Sequence, residues 1–187
     1  MPISLSTADA RRHTAVDSAI TEFARTGYIG TPVTRVASAA GISPAYVFKL
    51  FPRKEELFVA ALDRCFERII DALTAGAASA APDADGDAVL YTMGGAYAEL
   101  IADRSLLMLQ VHAQSAADVP EIGDALRRGL ARVTTFAKER SGGSDDAVQR
   151  FVAYGQLCHL IVTTDLDAEP HAATAWAGIL TAGFRHP

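Results

Sequence analysis

Cysteine is nearly missing from this chain: there are two in 187 residues, Cys65 and Cys158, far apart and in no CxxC or Cys/His spacing. That excludes a disulfide-stapled scaffold and leaves no metal site to expect, so both read as buried free thiols in a reducing compartment. Aromatic residues make up only 7%, and charged residues 21% against 50% hydrophobic, the balance of a folded chain rather than a disordered one. No segment approaches the roughly 18 uninterrupted apolar residues of a membrane span. The opening stretch MPISLSTADARRHTAVDS holds no apolar core of signal-peptide length. A cytoplasmic protein without membrane contact is expected. Also missing are the alternating pattern of strands, internal repeats, and the GxSxG, HExxH, GxxxxGK and GxGxxG signatures. His112, Cys158 and His159 could converge in space, but nothing in their spacing demands it. No enzyme activity and no cofactor is therefore expected.

What the chain has in plenty is alanine, 36 residues against eight prolines. Alanine is the best helix former, so the composition points to an all-α fold. Charge is unevenly placed. Residues 1–60 hold seven Lys and Arg against five Asp and Glu, a net of +2, whereas residues 61–187 hold ten against seventeen, a net of −7. The pattern is a basic head on an acidic body.

Apolar spacing divides the chain into about nine helices. Ala8, Ala15, Ala19, Phe23 and Ala24 share a face from Thr7 to about Thr26, where Gly27 ends the run. Thr31 and Pro32 read as a cap followed by proline at the first helical position of a two-turn helix that stops at Gly41. Ser43 and Pro44 repeat that device for a helix to about Leu50. A longer run follows the Pro52 break, carrying Leu57, Leu62, Phe66, Ile69 and Leu73. The stretch Ala75–Asp87 reads as a loop. Helices are then expected over 88–102 and 104–116, from a capping-box pattern at Asp118 and Glu121 to about Ser141, from a Ser144 cap to about Leu166, and from Pro170 to Phe184.

Two short helices joined by Gly41, Ile42 and Ser43 make the layout of a helix-turn-helix. A helix that reads DNA needs short side chains near its N-terminus and basic or hydroxyl groups around it, and Ser43, Pro44, Ala45, Tyr46 and Lys49 supply them. Val47, Phe48 and Leu50 supply apolar bulk to anchor it. The run FARTGYIGTPVTRVASAAGISPAYVFKLFPRKEELFVAAL, with Phe23, Gly27, Tyr28, Thr31, Val36, Ala37, Gly41, Ser43, Phe51, Lys54, Glu55 and Leu57 in one register, resembles the N-terminal DNA-binding region of TetR-family transcriptional regulators.

The resemblance implies a three-helix head over residues 1–53 and a helical effector-binding and dimerisation domain over 54–187. It also implies that Thr31 and Arg35 on the second helix, Ser43, Pro44, Ala45, Tyr46 and Lys49 on the third, and Lys54 on the fourth face double-stranded DNA. Most of these would touch phosphates, while Tyr46 and Lys49, with Pro44 and Ala45, would meet base edges. The family often has tyrosine at Phe48 and histidine at Lys49. Phe48 lacks a hydroxyl for phosphate and is expected to pack in the small core, leaving Lys49 as the cationic contact. Arg11 and Arg12 read either as a solvated first turn or as a flexible arm.

For the body, the resemblance implies a small-molecule pocket and a homodimer in which the last two long helices pair as a four-helix bundle. Gly155, Ala175 and Gly183 permit close helix approach there. Gly94 and Gly95 stand in mid-helix, where glycine is costly, so a neighbouring helix or a ligand should come close. Candidate effector contacts are Tyr91, Gly94, Tyr97 and Met108, followed by His112, Phe136, Tyr154 and Cys158, although the side chains among them fit an ordinary core as well. A hydrophobic or planar effector suits such a set. The function expected is a ligand-responsive repressor that binds a palindromic operator as a homodimer. The alternative is a helical ligand-binding or adaptor protein whose reading head no longer binds DNA.

Overall fold

Glycine, proline and capping side chains punctuate the alanine-rich chain, and most helices begin or end beside one of them. The computed structural model describes residues 7–166, 168 and 171–183. Among the described residues there are nine α-helices, one 3-10 turn and no strand. They are α1 (Thr7–Gly30), α2 (Val33–Ala39), α3 (Pro44–Leu50), α4 (Lys54–Ala78), α5 (Gly86–Leu100), α6 (Arg104–Ser115), α7 (Pro120–Ser141), α8 (Asp145–Thr163) and α9 (Ala175–Leu180). The fold is all-α, as the composition predicts. None of these helices is long and apolar enough to cross a membrane.

Several boundaries differ from the sequence reading. Gly27 does not end α1 but kinks it at φ +72°, after which the helix resumes to Gly30. Helix α4 runs through Ala75–Ala78, so the loop is only 79–85; the small residues that suggested a linker are mostly alanine, which prolongs a helix already formed. Asp85 then caps α5, its carboxylate accepting the Ala88 N–H at 2.9 Å. At the start of α7 the expected capping box gives way to a longer-range contact, since the Glu121 carboxylate accepts from Arg53 at 2.7 Å. Ser144 caps α8 as predicted, accepting the Ala147 N–H at 3.1 Å. The last helix is not long: α9 has six residues and follows a 3-10 turn at His171–Ala173. Pro170 and Phe184, its expected limits, lie outside the described residues.

The chain forms two compact units, one of residues up to Cys65 with Met108–Arg128, the other of Phe66–Leu107 with the residues from Gly129 onward. Helices α4, α6 and α7 contribute to both. In the first unit Phe23 and Phe58 meet edge to face with ring centroids 4.8 Å apart, and Tyr28 packs on Phe58 at 5.6 Å. Ala19, Val36, Val47, Phe51, Leu57 and Leu62 close around them, all buried. In the second unit Phe66 and Leu73 of α4 join Leu90, Met93, Leu107, Val148 and Ile161. The tight helix approach there is not at Gly94, whose hypothetical Cβ would meet Phe151 at an ordinary 3.9 Å. It is at Gly76, where a Cβ would stand 2.8 Å from the Met93 Cα, and at Gly129, where a Cβ would overlap the Phe66 ring.

Candidate nucleic-acid interface

The site is built on α2, the turn after it, and α3, all in the first unit. Gly41 takes φ +64°, a left-handed conformation that costs other residues about 1–2 kcal/mol. Its N–H donates to the Ser38 carbonyl at 3.2 Å, and the next N–H, of Ile42, donates to Ala37 at 3.0 Å, which stops α2. Two residues later Ser43 caps α3, its hydroxyl accepting the Tyr46 N–H at 3.2 Å with Pro44 at the first helical position. The far end of α3 is held by a residue that periodicity does not single out. Arg12 donates to the Leu50 carbonyl at 2.9 Å and lies 4.1 Å over the Phe51 ring. Neither a solvated first turn nor a free arm describes Arg12. Finding it in sequence would require knowing that α1 passes the end of α3.

The predicted contact residues fall into three groups. Ser43, Pro44, Ala45 and Lys49 are exposed along α3 and Tyr46 is half-buried. Lys49 has no ion-pair partner among the described residues, so its charge faces solvent. Arg35 and Lys54 lie near the surface but already have partners. Arg35 pairs with the buried carboxylate of Glu22 at 3.0 Å, which ties α2 to α1, while Arg25 approaches the same group at 3.5 Å. Lys54 stands 4.8 Å over the Tyr28 ring and donates to the Ile29 carbonyl at 3.4 Å. Its partial burial lowers its pKa. Thr31 is fully buried, its hydroxyl donating to the Glu22 carbonyl at 3.1 Å and lying 2.7 Å from the Thr26 hydroxyl. It does not cap α2, whose N-cap is Pro32.

Phe48 departs from the expectation. It is 47% exposed rather than packed in the small core; Val47, fully buried, is the anchor. The surroundings of α3 are fixed by polar links. Tyr28 donates to Glu55 at 2.5 Å; burial foremost, and then that carboxylate, push its pKa up to about 12, while the same bond lowers that of Glu55. Arg53 bridges Glu56 at 3.0 Å and Glu121 at 2.7 Å.

In the second unit the predicted effector residues separate. Tyr91, Gly94, Tyr154 and Cys158 line a groove of about 370 Å³ together with Phe151, Leu157 and Leu180, and Asp87 and Arg150 are its charged members. Burial raises the Cys158 pKa. Tyr97 is not among the lining residues; its hydroxyl lies 2.9 Å from Nε2 of buried His159, whose pKa burial pushes down to about 4. Phe136 is half-buried and is not among the groove's lining residues. Met108 and His112 belong to the first unit. The His112 ring fills the notch left by Gly27, where a Cβ would stand 2.9 Å from its Nδ1.

Three comparisons bear on this geometry. The family model described as bacterial regulatory proteins, tetR family, matches residues 15–61, from α1 into α4. A comparison of the sequence with curated proteins gave no match. Among solved structures, the fatty acid degradation regulator FadR from Bacillus halodurans is 18% identical with a TM-score of 0.66, covering 99% of this chain and 100% of its own. FadR from Bacillus subtilis, solved in complex with stearoyl-CoA, is 18% identical with a TM-score of 0.63, covering 92% and 99%. A TetR-family member from Streptomyces coelicolor A3 is 22% identical with a TM-score of 0.65, covering 92% and 96%. At these identities the structures share the fold.

Proposed function

Because this chain belongs, through residues 15–61, to the tetR family of bacterial regulatory proteins, and so has the fold of a DNA-binding transcriptional regulator, we propose that it is a ligand-responsive repressor that binds a palindromic operator as a homodimer. The observation that carries this reading is α3 itself. It is capped by Ser43, clamped by Arg12, and presents Ala45, Phe48 and the unpaired cation of Lys49 to solvent. A short rigid helix with a cation and small residues on its open face fits the major groove, where base edges are read. Ser43 and Arg35 at its flanks suit phosphates, which set register without carrying sequence information. Thr31 drops out of the contact set because it is buried.

In this reading residues 1–53 are the reading domain of a cytoplasmic protein and 54–187 the effector and dimerisation domain. The homodimer is supported by apolar side chains left exposed in the second unit, Tyr154 and Leu160 on α8 and Trp176 and Ile179 on α9. Helices α8 and α9 each contribute two of these side chains, although α9 has only six residues. A two-fold dimer requires half-sites about one helical turn, 34–36 Å, or a multiple apart. The groove between Tyr91 and Tyr154 suits a hydrophobic effector, and the stearoyl-CoA held by the Bacillus subtilis relative supports that class. Effector binding would favour one of two states that differ in fit to both half-sites.

Binding-site selection on random duplex DNA tests the reading. It should recover an inverted repeat whose affinity falls steeply with salt, with a slope set by the number of phosphates neutralised. Failure to enrich any sequence at moderate salt, with protein free of ligand, would favour the adaptor alternative.

A further inference from the structure

The seven residues of α3 divide sharply by exposure. Val47 is fully buried, Tyr46 and Leu50 are intermediate, and Pro44, Ala45, Phe48 and Lys49 are exposed. Positions 44 and 48, 45 and 48, and 45 and 49 are three or four apart, so these four residues form one face. Three of its four members are apolar, and the largest, Phe48, is 47% exposed. A phenyl ring has no donor for phosphate and no acceptor for an amine, so its place on this face is unexplained by backbone contacts. The major groove offers one apolar group to such a ring, the C5-methyl of thymine; the acceptors O6 and N7 of guanine suit the lysine beside it.

We propose that Phe48 is a specificity-determining residue, its ring packing with Ala45 against thymine methyl groups in each half-site while Lys49 reaches a neighbouring guanine. The inference rests on the reading of α3 as the DNA-contacting helix. It makes the operator's A·T positions matter through their methyl groups rather than through hydrogen bonds. Half-sites recovered by selection should carry a thymine next to a guanine.

The test uses the full chain and its selected operator, with thymines replaced one symmetric pair at a time by deoxyuridine. That change removes the methyl and leaves base pairing intact. Titration at one fixed salt concentration should show one pair whose replacement weakens wild-type binding by about fourfold per half-site, the effect of burying one methyl group. The same replacement should be silent in Phe48→Ala and should keep its penalty in Phe48→Tyr, which retains the ring. Phe48→Ser, which also removes the ring, should be silent as well and carries the test if the alanine variant loses its fold. A penalty that persists in a folded Phe48→Ala protein, a penalty lost in Phe48→Tyr, or an operator indifferent to every methyl would overturn the proposal while leaving DNA binding intact. If no operator is selected at all, the reading of α3 fails first and this inference with it.

Discussion

The two units expose their working surfaces in opposite ways. In the first, the open face of α3 is small and its frame is tied at every corner: Ser43 caps it, Arg12 holds its last turn, Glu22 ties Arg35 and thus α2 to α1, and Arg53 joins Glu121. In the second, the groove and its surroundings leave Tyr91, Tyr154, Trp176 and Ile179 more than half exposed, with a 76% extreme at Ile179. Under the proposed function, the difference fits the task each surface would have. A surface that must match the fixed spacing of a duplex gains from rigidity, because a displaced contact loses both affinity and sequence discrimination. A surface awaiting an apolar body has to stay uncovered until that body arrives.

The largest effect that sharpens this contrast comes from two equal truncations. Phe23→Ala removes a fully buried ring in edge contact with Phe58 and should cost about 3–5 kcal/mol by chemical denaturation. Phe151→Ala, at the half-buried wall of the groove, opens space to solvent rather than creating a closed cavity and should cost about 1–2 kcal/mol, less than a full cavity would. Equal losses would mean that the groove wall is as tightly packed as the head, and the contrast would fail.

Next comes pH. His159 is buried with its pKa pushed from 6.5 to about 4 by desolvation, so the folded state prefers it neutral. Below pH 6.5 the unfolded chain binds a proton that the folded chain refuses, and stability therefore falls as pH drops from 6.5 toward 4. At about 1.4 kcal/mol per pKa unit the loss is at most roughly 3 kcal/mol. His159→Gln keeps an acceptor for the Tyr97 hydroxyl and cannot titrate, so its unfolding free energy should be flatter than wild type across that window. Parallel pH profiles would remove His159 as the cause. Carboxylates of the head, such as Glu55 with its lowered pKa, lose their contribution at more acidic pH than an ordinary glutamate.

How much of this was legible in the sequence follows the same division. The turn at Gly41 and the cap and proline at Ser43 and Pro44 were readable because they are local chemistry, fixed within a few residues of backbone. Thr31 looks like a cap for the same local reason, yet its hydroxyl finds the Glu22 carbonyl nine residues back, a partner visible only once α1 is in place. Phe48 was misplaced because a helix of seven residues is too short for apolar spacing to say which side is in. Arg12 and Glu121 act across 38 and 68 residues of chain, beyond any periodic signal. In the second unit the helices were readable, but which of several aromatic side chains share a groove depends on how α5 and α8 are rotated, so that Tyr91 and Tyr154 line it while Tyr97 turns to His159.

The finest test keeps the chemistry constant and changes only the unit. Ser43 and Ser144 are both N-caps, accepting N–H groups at 3.2 and 3.1 Å. Ser43→Ala and Ser144→Ala should each cost about 1 kcal/mol of stability. Helix α3 is barely two turns, so losing its cap unravels a large part of the face that carries Ala45, Phe48 and Lys49. Helix α8 has 19 residues and frays only at its first turn. Operator affinity should therefore fall several-fold in Ser43→Ala and stay at the wild-type value in Ser144→Ala, although unfolding curves displace them equally. If the two variants lose operator affinity together, the rigid frame of α3 is not what DNA binding depends on.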